Sequence, residues 1–269
     1  MSSNPFHSVG SLFPNKVDVI TVQPQDKVGK ALKIMLERRF SQLPVVENGE
    51  ALGVFSLWSL ARQLSRAANM RLQRSFLDLE VGELLEKVPK VTVKDGLYSI
   101  LDSLDRFEVL LAESPHGLHC VVTPSDVLRY FWNVARPYIL LQEIELALRS
   151  LIGMRAPGEK LKTCIEQALT KSYQNRYLPV PTSLEDMNFD DYKSIITCQA
   201  NWPLFESILG HNKDLVWTRL DSLRKTRNNT FHFKLDIGIS EYEDLVVARD
   251  WLFEKVGRRS AEMREKDNG

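Results

Sequence analysis

The sequence predicts a two-domain α+β protein, with two βαββα repeats followed by an all-helical domain. Three observations point there. A strand–helix–strand–strand–helix pattern occurs twice in the first half. Strand signals stop after Phe131-Trp132. At 269 residues the chain has room for about two domains of roughly 100–200 residues, each with its own core.

In the first repeat Val19-Ile20-Thr21-Val22 precedes a polar Gln23-Pro24-Gln25-Asp26, and Val28, Ala31, Leu32 and Met35 then fall at helical spacing. The second repeat opens on Lys90-Val91-Thr92-Val93, turns at Lys94-Asp95-Gly96, and continues with Leu97, Ile100, Leu101 and Leu104. Arg39-Phe40 returns as Arg106-Phe107, Leu43 as Leu110 and Ser56 as Thr123, each 67 residues on. Short apolar runs bounded by turn residues predict strands over 19–22, 43–46, 52–55, 91–93, 108–112 and 118–122. Asn48-Gly49 predicts a two-residue hairpin between the second and third of them.

Hydrophobic residues make up 43% and charged residues 26%, values of an ordinary globular chain rather than a disordered one. Lys+Arg and Asp+Glu both number 35, which excludes a broadly basic nucleic-acid coat and leaves only local patches. Apolar stretches such as residues 138–141 are far shorter than the ~20 residues of a membrane span. Residues 1–10 lack the apolar core of a signal peptide. Three widely spaced cysteines, Cys120, Cys164 and Cys198, predict no disulfide framework and fit a reducing cytoplasm.

Residues 19–22, the Ala31-Leu32-Lys33-Ile34-Met35 helix, Leu43-Pro44-Val45-Val46 and Gly53-Val54-Phe55-Ser56 resemble a cystathionine β-synthase (CBS) domain. Val121-Val122-Thr123-Pro124-Ser125-Asp126 resembles the end of a second. Together, over residues 12–133, they resemble the tandem pair called a Bateman module. The resemblance implies pseudo-symmetric packing, with clefts between the sheets for adenine nucleotides as regulatory ligands. The family's ligand motif is Gly, two apolar residues, then Ser/Thr-x-x-Asp. A hydroxyl at a helix N-terminus suits a phosphate, and a carboxylate suits the ribose diol. Repeat two keeps Thr123 and Asp126 with Cys120 where Gly is usual; repeat one keeps Gly53 and Ser56 with Ser59 in place of Asp. One ribose-reading site is therefore expected, on Thr123 and Asp126, with the backbone near Thr92 meeting the base or ribose. Capping of the helix that starts near Ser125 would also explain Thr123 and Asp126.

The second half predicts helices throughout. Pro137 is placed to begin the first, along which Ile139, Leu140, Ile144, Leu148, Leu151 and Ile152 follow helical spacing; Gly153 and Pro157-Gly158 end it. Further helices are expected over 159–177, 186–196, 203–209, 212–229 and 241–256, with a charged, frayed tail at 257–269. Arg219, Arg224, Lys225, Arg227 and Lys234 face only Asp221, making one local basic patch around Arg227-Asn228-Asn229-Thr230-Phe231-His232.

Those six residues, with Glu145-x-x-x-Arg149, Asp190-Asp191-Tyr192 and Asn201-Trp202 upstream, resemble the R-x4–6-H pattern of the HEPN superfamily over residues 135–256. The resemblance implies a metal-independent endoribonuclease with a composite site in a homodimer, acting in stress or antiviral defence, or a degenerate interaction module. His232 would shuttle protons near neutral pH, Arg227 would hold the phosphate, and Asn228 would orient the ring or a phosphate oxygen. Lys225 and Arg224 would bind RNA. The substrate's own 2′-hydroxyl would attack, so no metal or cofactor is needed for the chemistry. A helix end also explains Arg and His there, with Asn228-Asn229 as its stop.

His116, His119 and Cys120 lie close in sequence, but no second cluster accompanies them, so no metal site is expected. Trp58, Trp132, Trp202, Trp217 and Trp251 fall on apolar helical faces and are expected in the core. The leading expectation is a cytoplasmic, nucleotide-regulated endoribonuclease; the alternative is a nucleotide-sensing adaptor that cuts nothing.

Overall fold

The computed structural model describes residues 7–13, 18–67, 75–232 and 238–267, with the backbone alone at 67 and 258–267. The chain divides into two compact units, residues 1–132 and 133–269. No helix among the described residues is long and apolar enough to cross a membrane.

In the first unit, α1 (Val28–Arg38) leads into the hairpin β1 (Gln42–Glu47) and β2 (Glu50–Ser56), then α2 (Leu57–Ala67). The second repeat is β3 (Lys90–Thr92), α3 (Leu97–Phe107), β4 (Leu110–Ser114), β5 (Gly117–Val122) and the start of α4 (Pro124–Arg155). Asn48 and Gly49 form the hairpin turn with φ of 50° and 84°, the positive values a two-residue turn of this kind needs. β3 pairs in parallel with β4, and β4 pairs antiparallel with β5.

The expected strand at 19–22 is reduced to one residue. Only Val22 pairs, with its N–H donating to Pro44 O (3.0 Å) and its carbonyl accepting from Val46 N–H (2.9 Å). The turn follows at once, because Asp26 Oδ2 accepts from Gln23 N–H at 2.9 Å. Asp95 does the same for Thr92 N–H at 2.7 Å. The repeats thus align Val22 with Val91 and Gln23 with Thr92, not Val22 with Val93 as the residue likeness suggests. The strand expected from Glu108 starts at Leu110, since Glu108 takes a left-handed conformation (φ 61°) that caps α3.

Each repeat closes its core with a segment from outside itself, the N-terminal turn for repeat two and the connection between the repeats for repeat one. The 3-10 turn Val9–Leu12 lies on repeat two, where Val9 N–H donates to Asp95 O (2.8 Å) and Gly10 N–H to Val93 O (2.9 Å). The 3-10 turn Val81–Leu84 lies on repeat one, through Val81 N–H to Asp26 O (2.9 Å) and Gly82 N–H to Pro24 O (2.8 Å). Val9 and Val81 are both fully buried, each contributing on the order of 1.5–3 kcal/mol of apolar burial. Val28, Ala31, Met35, Leu43 and Phe55 in one core match Leu97, Ile100, Leu104, Leu110 and Val122 in the other. Ala51, Val54, Val109 and Leu111 form a further cluster between them.

The second unit is helical wherever it forms regular structure among the described residues: the rest of α4, then α5 (Glu159–Asn175), α6 (Phe189–Thr197), α7 (Trp202–Leu209), α8 (Lys213–Phe231) and α9 (Ile239–Asp267). Its core gathers Ile144, Leu148, Leu151 and Ile152 of α4 with Tyr192, Phe205, Leu220 and Leu252. Several boundaries differ from expectation. Pro137 sits inside α4 rather than at its start. The apolar spacing runs on either side of it, and packing of those residues outweighs one missing N–H. Gly153 is likewise helical; the break comes after Arg155, and Gly158, with φ of 59°, leads into α5. α6 starts at Phe189, capped by Asn188, whose side chain accepts from Asp190 and Asp191 N–H. α8 continues past Asn228-Asn229 because buried Thr230 returns its hydroxyl to Thr226 O at 2.8 Å. α9 runs to Asp267, past the expected end at 256, and residues 258–267 hold no proline or glycine to break it. Trp202 is buried as expected, but Trp58, Trp132 and Trp217 are 66%, 56% and 47% exposed. The half-exposed Trp217 ring on α8 carries Lys193 Nζ at 5.3 Å from its centroid.

Candidate functional site

Two clefts in the first unit are related by the repeat. Cleft A, about 390 Å³, is lined by Phe13, by residues 18–20, among them Asp18, by residues 39–44 and by Cys120, Val121, Thr123, Ser125, Asp126 and Arg129. Cleft B, about 480 Å³, is lined by Trp58 and Arg62, by residues 85–88 and by Asp105, Arg106, Phe107 and Glu108. Both fall within the usual range of ligand pockets, about 300–1,000 Å³.

In cleft A Thr123 and Asp126 cap α4. Thr123 N–H and Oγ1 donate to Asp126 Oδ2 at 3.0 and 2.6 Å, and Asp126 N–H donates to Thr123 Oγ1 at 3.4 Å. The cap and a ligand-facing position are compatible, because Asp126 Oδ1 has no hydrogen bond among the described residues and the side chain lines the cleft. Arg39, held left-handed at φ 57° after α1, and Arg129 also line it, and neither forms an ion pair among the described residues. Burial, with the Asp126 charge adding to it, pushes the Cys120 thiol up to about 12, so it is an apolar wall rather than a nucleophile. Thr92 is not part of the cleft; it lies on β3 with its amide turned into the Asp95 loop. The register explains this: residues 18–20 of the first repeat, left without strand pairing, line the cleft with Thr123 instead.

A CBS-domain model matches residues 9–66. Residues 9–66 are a CBS domain. Solved structures with CBS domains are similar to the chain. CBSX2 in complex with AMP shares 22% identity over 46% of this chain and 94% of its own, at a TM-score of 0.37. The CBS-domain protein ATU1752 of Agrobacterium tumefaciens shares 20% identity over 45% and 97%, at a TM-score of 0.40. No curated protein matches the chain. The CBS domain supplies residues 18–20 and 39–44 to cleft A, while the Thr123–Asp126 cap comes from beyond its matched span.

The helical unit brings Arg227 beside Glu145 of α4, 3.3 Å from Nε to Oε1, and over the Phe231 ring at 4.7 Å. Arg227 Nη1 donates to Asn228 Oδ1 at 3.4 Å. His232 caps α8, its N–H donating to Asn228 O at 3.0 Å; it is exposed, and its ring has no hydrogen bond among the described residues. Tyr138, Ile139, Gln142, Glu145 and Phe231 line an apolar cleft of about 520 Å³ beside Arg227; His232 is not part of it. The partner of Arg227 lies 82 residues away, so the helix-surface pairing of Glu145 with Arg149 is only part of the Glu145 role.

The other residues of the HEPN-like pattern make structural contacts. Arg149 Nε donates to Tyr192 OH at 2.6 Å, Tyr173 OH donates to Asp191 Oδ2 at 2.8 Å, and Asn201 Nδ2 donates to Cys164 O and Ile195 O at 3.0 Å each. The basic patch is largely neutralised. Arg224 and Lys225 both contact Asp221 at 3.0 Å, Lys193 reaches it at 2.9 Å, and Arg224 also contacts Asp190 at 3.4 Å. Arg219 stacks on Trp251 at 4.6 Å. Lys234 lies outside the described residues. Among the described residues no group of His, Cys, Asp and Glu is placed to hold a metal.

Lys193 and then Lys225 hold the Asp221 carboxyl far below the usual carboxylate range, with Arg224 adding to them against a desolvation cost. A folded pKa below the unfolded one stabilises the fold above the unfolded value, and that gain is lost as pH falls through the folded value. Asp221→Asn should therefore lower stability at pH 7 by about 1.5–3 kcal/mol, the worth of a hydrogen bond to a charged group, because Lys193 is left with Asp190, at 3.0 Å, as its acidic partner. The gap to wild type should narrow below pH 4. Thermal melts of both proteins at pH 7 and pH 3 check this; a gap that is constant with pH contradicts it.

Proposed function

We propose that the protein is a nucleotide-responsive effector that binds an adenine nucleotide in cleft A. The observation that carries this is the chemistry gathered there. Among the described residues Asp126 has a carboxylate oxygen without a partner, Arg39 and Arg129 have unpaired guanidinium groups, and the apolar Val19 and Ile20 line the same cleft. Asp126 Oδ1 accepts from the two ribose hydroxyls. The guanidinium groups offer forked donors to the phosphate. Val19, Ile20 and Leu43 enclose the base, and the backbone of Ile20, which makes no hydrogen bond among the described residues, can read its edge. The CBS domain at 9–66 supports this assignment, since clefts of such pairs are what the resemblance implies for adenine nucleotides. Calorimetry with AMP, against CMP as control, tests it.

Exposed His232 favours a second element, RNA cleavage by the helical unit. Its free ring at the end of α8 can take or give a proton. Arg227, a little over one turn back, is held between Glu145 and Phe231, and an incoming RNA phosphate competes with Glu145 for it. The chemistry uses the substrate's 2′-hydroxyl and leaves a 2′,3′-cyclic phosphate. Asn228 would position Arg227 rather than act itself. Lys225 and Arg224, being paired with Asp221, contribute to RNA affinity only through the weak field that their pairing leaves. One chain supplies one Arg227 and one His232, so a composite site needs a two-fold dimer, the commonest closed assembly. Light scattering at micromolar concentration should give about twice 30.9 kDa; a monomer at all concentrations removes the composite site. Nucleotide control follows if AMP binds one arrangement of the chain better than another. If no RNA is cut, the helical unit is the interaction module of an adaptor.

A further inference from the structure

Clefts A and B occupy equivalent places but are not chemically equivalent. The 67-residue offset pairs Ser56 with Thr123, Ser59 with Asp126 and Arg62 with Arg129. In cleft A the hydroxyl of Thr123 turns to Asp126, and Arg129 has no ion pair among the described residues. In cleft B the hydroxyl of Ser56 donates instead to Glu86 Oε2 at 2.8 Å, and Arg62 Nη2 donates to Glu86 Oε1 at 2.8 Å. One carboxylate from the connection between the repeats thus satisfies two donors, Ser56 and Arg62, whose counterparts line cleft A.

The backbone fixes it there. Glu86 N–H donates to Val54 O and Val54 N–H donates to Glu86 O, both at 2.9 Å. Such close approach is possible because residue 53 is glycine: a Cβ on Gly53 would stand 2.3 Å from the Glu86 carbonyl oxygen. The equivalent residue in repeat two is Cys120, which carries a side chain there. Ser59 meanwhile spends its hydroxyl on its own turn, donating to Ser56 O at 2.8 Å and accepting from Ser56 N–H at 3.0 Å.

We propose that Glu86 is a tethered anion that fills the phosphate end of cleft B, so that each chain takes up one nucleotide. Inference and test rest on the assignment of cleft A as the nucleotide site. Cleft B keeps Arg106, the counterpart of Arg39, without an ion pair among the described residues, but it lacks two features of cleft A: an arginine free of an ion pair at the Arg129 position, and a carboxylate at the Asp126 position. Removing Glu86 supplies the first, and Ser59→Asp supplies the second. Neither change alone is sufficient, and the carboxylate introduced by Ser59→Asp meets repulsion from Glu86 while Glu86 remains.

Isothermal titration of the full-length proteins with AMP counts the sites. Wild type and Ser59→Asp should each bind one AMP per chain. The double variant Ser59→Asp/Glu86→Ala should bind two, and adding Asp126→Ala should return the count to one. Thermal melts confirm that each variant folds; Ser59→Asp/Glu86→Gln, which keeps the side-chain volume, replaces the double variant if it does not. Two AMP on wild type or on Ser59→Asp alone, or one on the folded double variant, overturns the proposal. Zero on wild type with one on the double variant sinks cleft A and keeps the role of Glu86. Zero on every protein removes both.

Discussion

Asp126→Ala is expected to weaken AMP binding by about 10–100-fold, and Ser59→Ala to change it less than about twofold. A hydrogen bond to a charged group is worth about 1.5–3 kcal/mol, and each 1.4 kcal/mol is about tenfold in affinity. Asp126 lines cleft A with one carboxylate oxygen unengaged among the described residues, whereas both bonds of the Ser59 hydroxyl close on Ser56. Asp126 also accepts from Thr123 N–H and Oγ1, so the alanine variant loses a helix cap as well. Asp126→Asn separates the two effects. An amide oxygen still accepts from the Thr123 N–H, so the cap stays, but the charge that reads the diol is gone. Calorimetry on all three variants, with a melting curve for each, gives the answer. Equal losses from Asp126→Ala and Ser59→Ala contradict the asymmetry of the clefts.

His232→Ala should reduce RNA cleavage by about 10²–10⁴-fold, the contribution of general acid–base catalysis. The residue is exposed and its ring makes no hydrogen bond among the described residues, so folding should be unchanged. Arg227→Ala should cut activity comparably through loss of phosphate stabilisation, with a small stability cost because Glu145 loses its partner across the helices. EDTA should have no effect, and a 2′-deoxy residue at the cut site should abolish cleavage. Analysis of the RNA ends with and without AMP is the readout. Cleavage by His232→Ala at the wild-type rate, or none by wild type in any condition, assigns the helical unit to binding alone.

What the sequence made legible was local. Apolar periodicity located α1, α3 and the four hairpin strands, and Asn48-Gly49 marked its turn, because each depends on residues a few places apart. The pairing of Thr123 with Asp126 was readable for the same reason. What was hidden depends on partners far along the chain. Whether Val22 or Val19 joins a strand is decided by Pro44 and Val46. Thr92 resembled Thr21 in its neighbours, but the pairing of β3 with β4 sets its register and takes it out of cleft A. Arg224 and Lys225 looked like a free basic patch until Lys193, Asp190 and Asp221 were brought together. Glu86 carries no local signal at all; Gly53, which admits its backbone, was the only hint. Pro137 misled because a proline usually starts or ends a helix, while here apolar packing on both sides carries α4 through it.

A crystal structure grown with AMP would show where the nucleotide sits. The expected result is AMP in cleft A, its ribose hydroxyls at hydrogen-bond distance from Asp126 Oδ1, its phosphate on Arg39 or Arg129, and its base against Val19 and Ile20, with Glu86 still bound to Ser56 and Arg62 in cleft B. AMP seated in cleft B, or in cleft A with Asp126 turned away from the ribose, would contradict it.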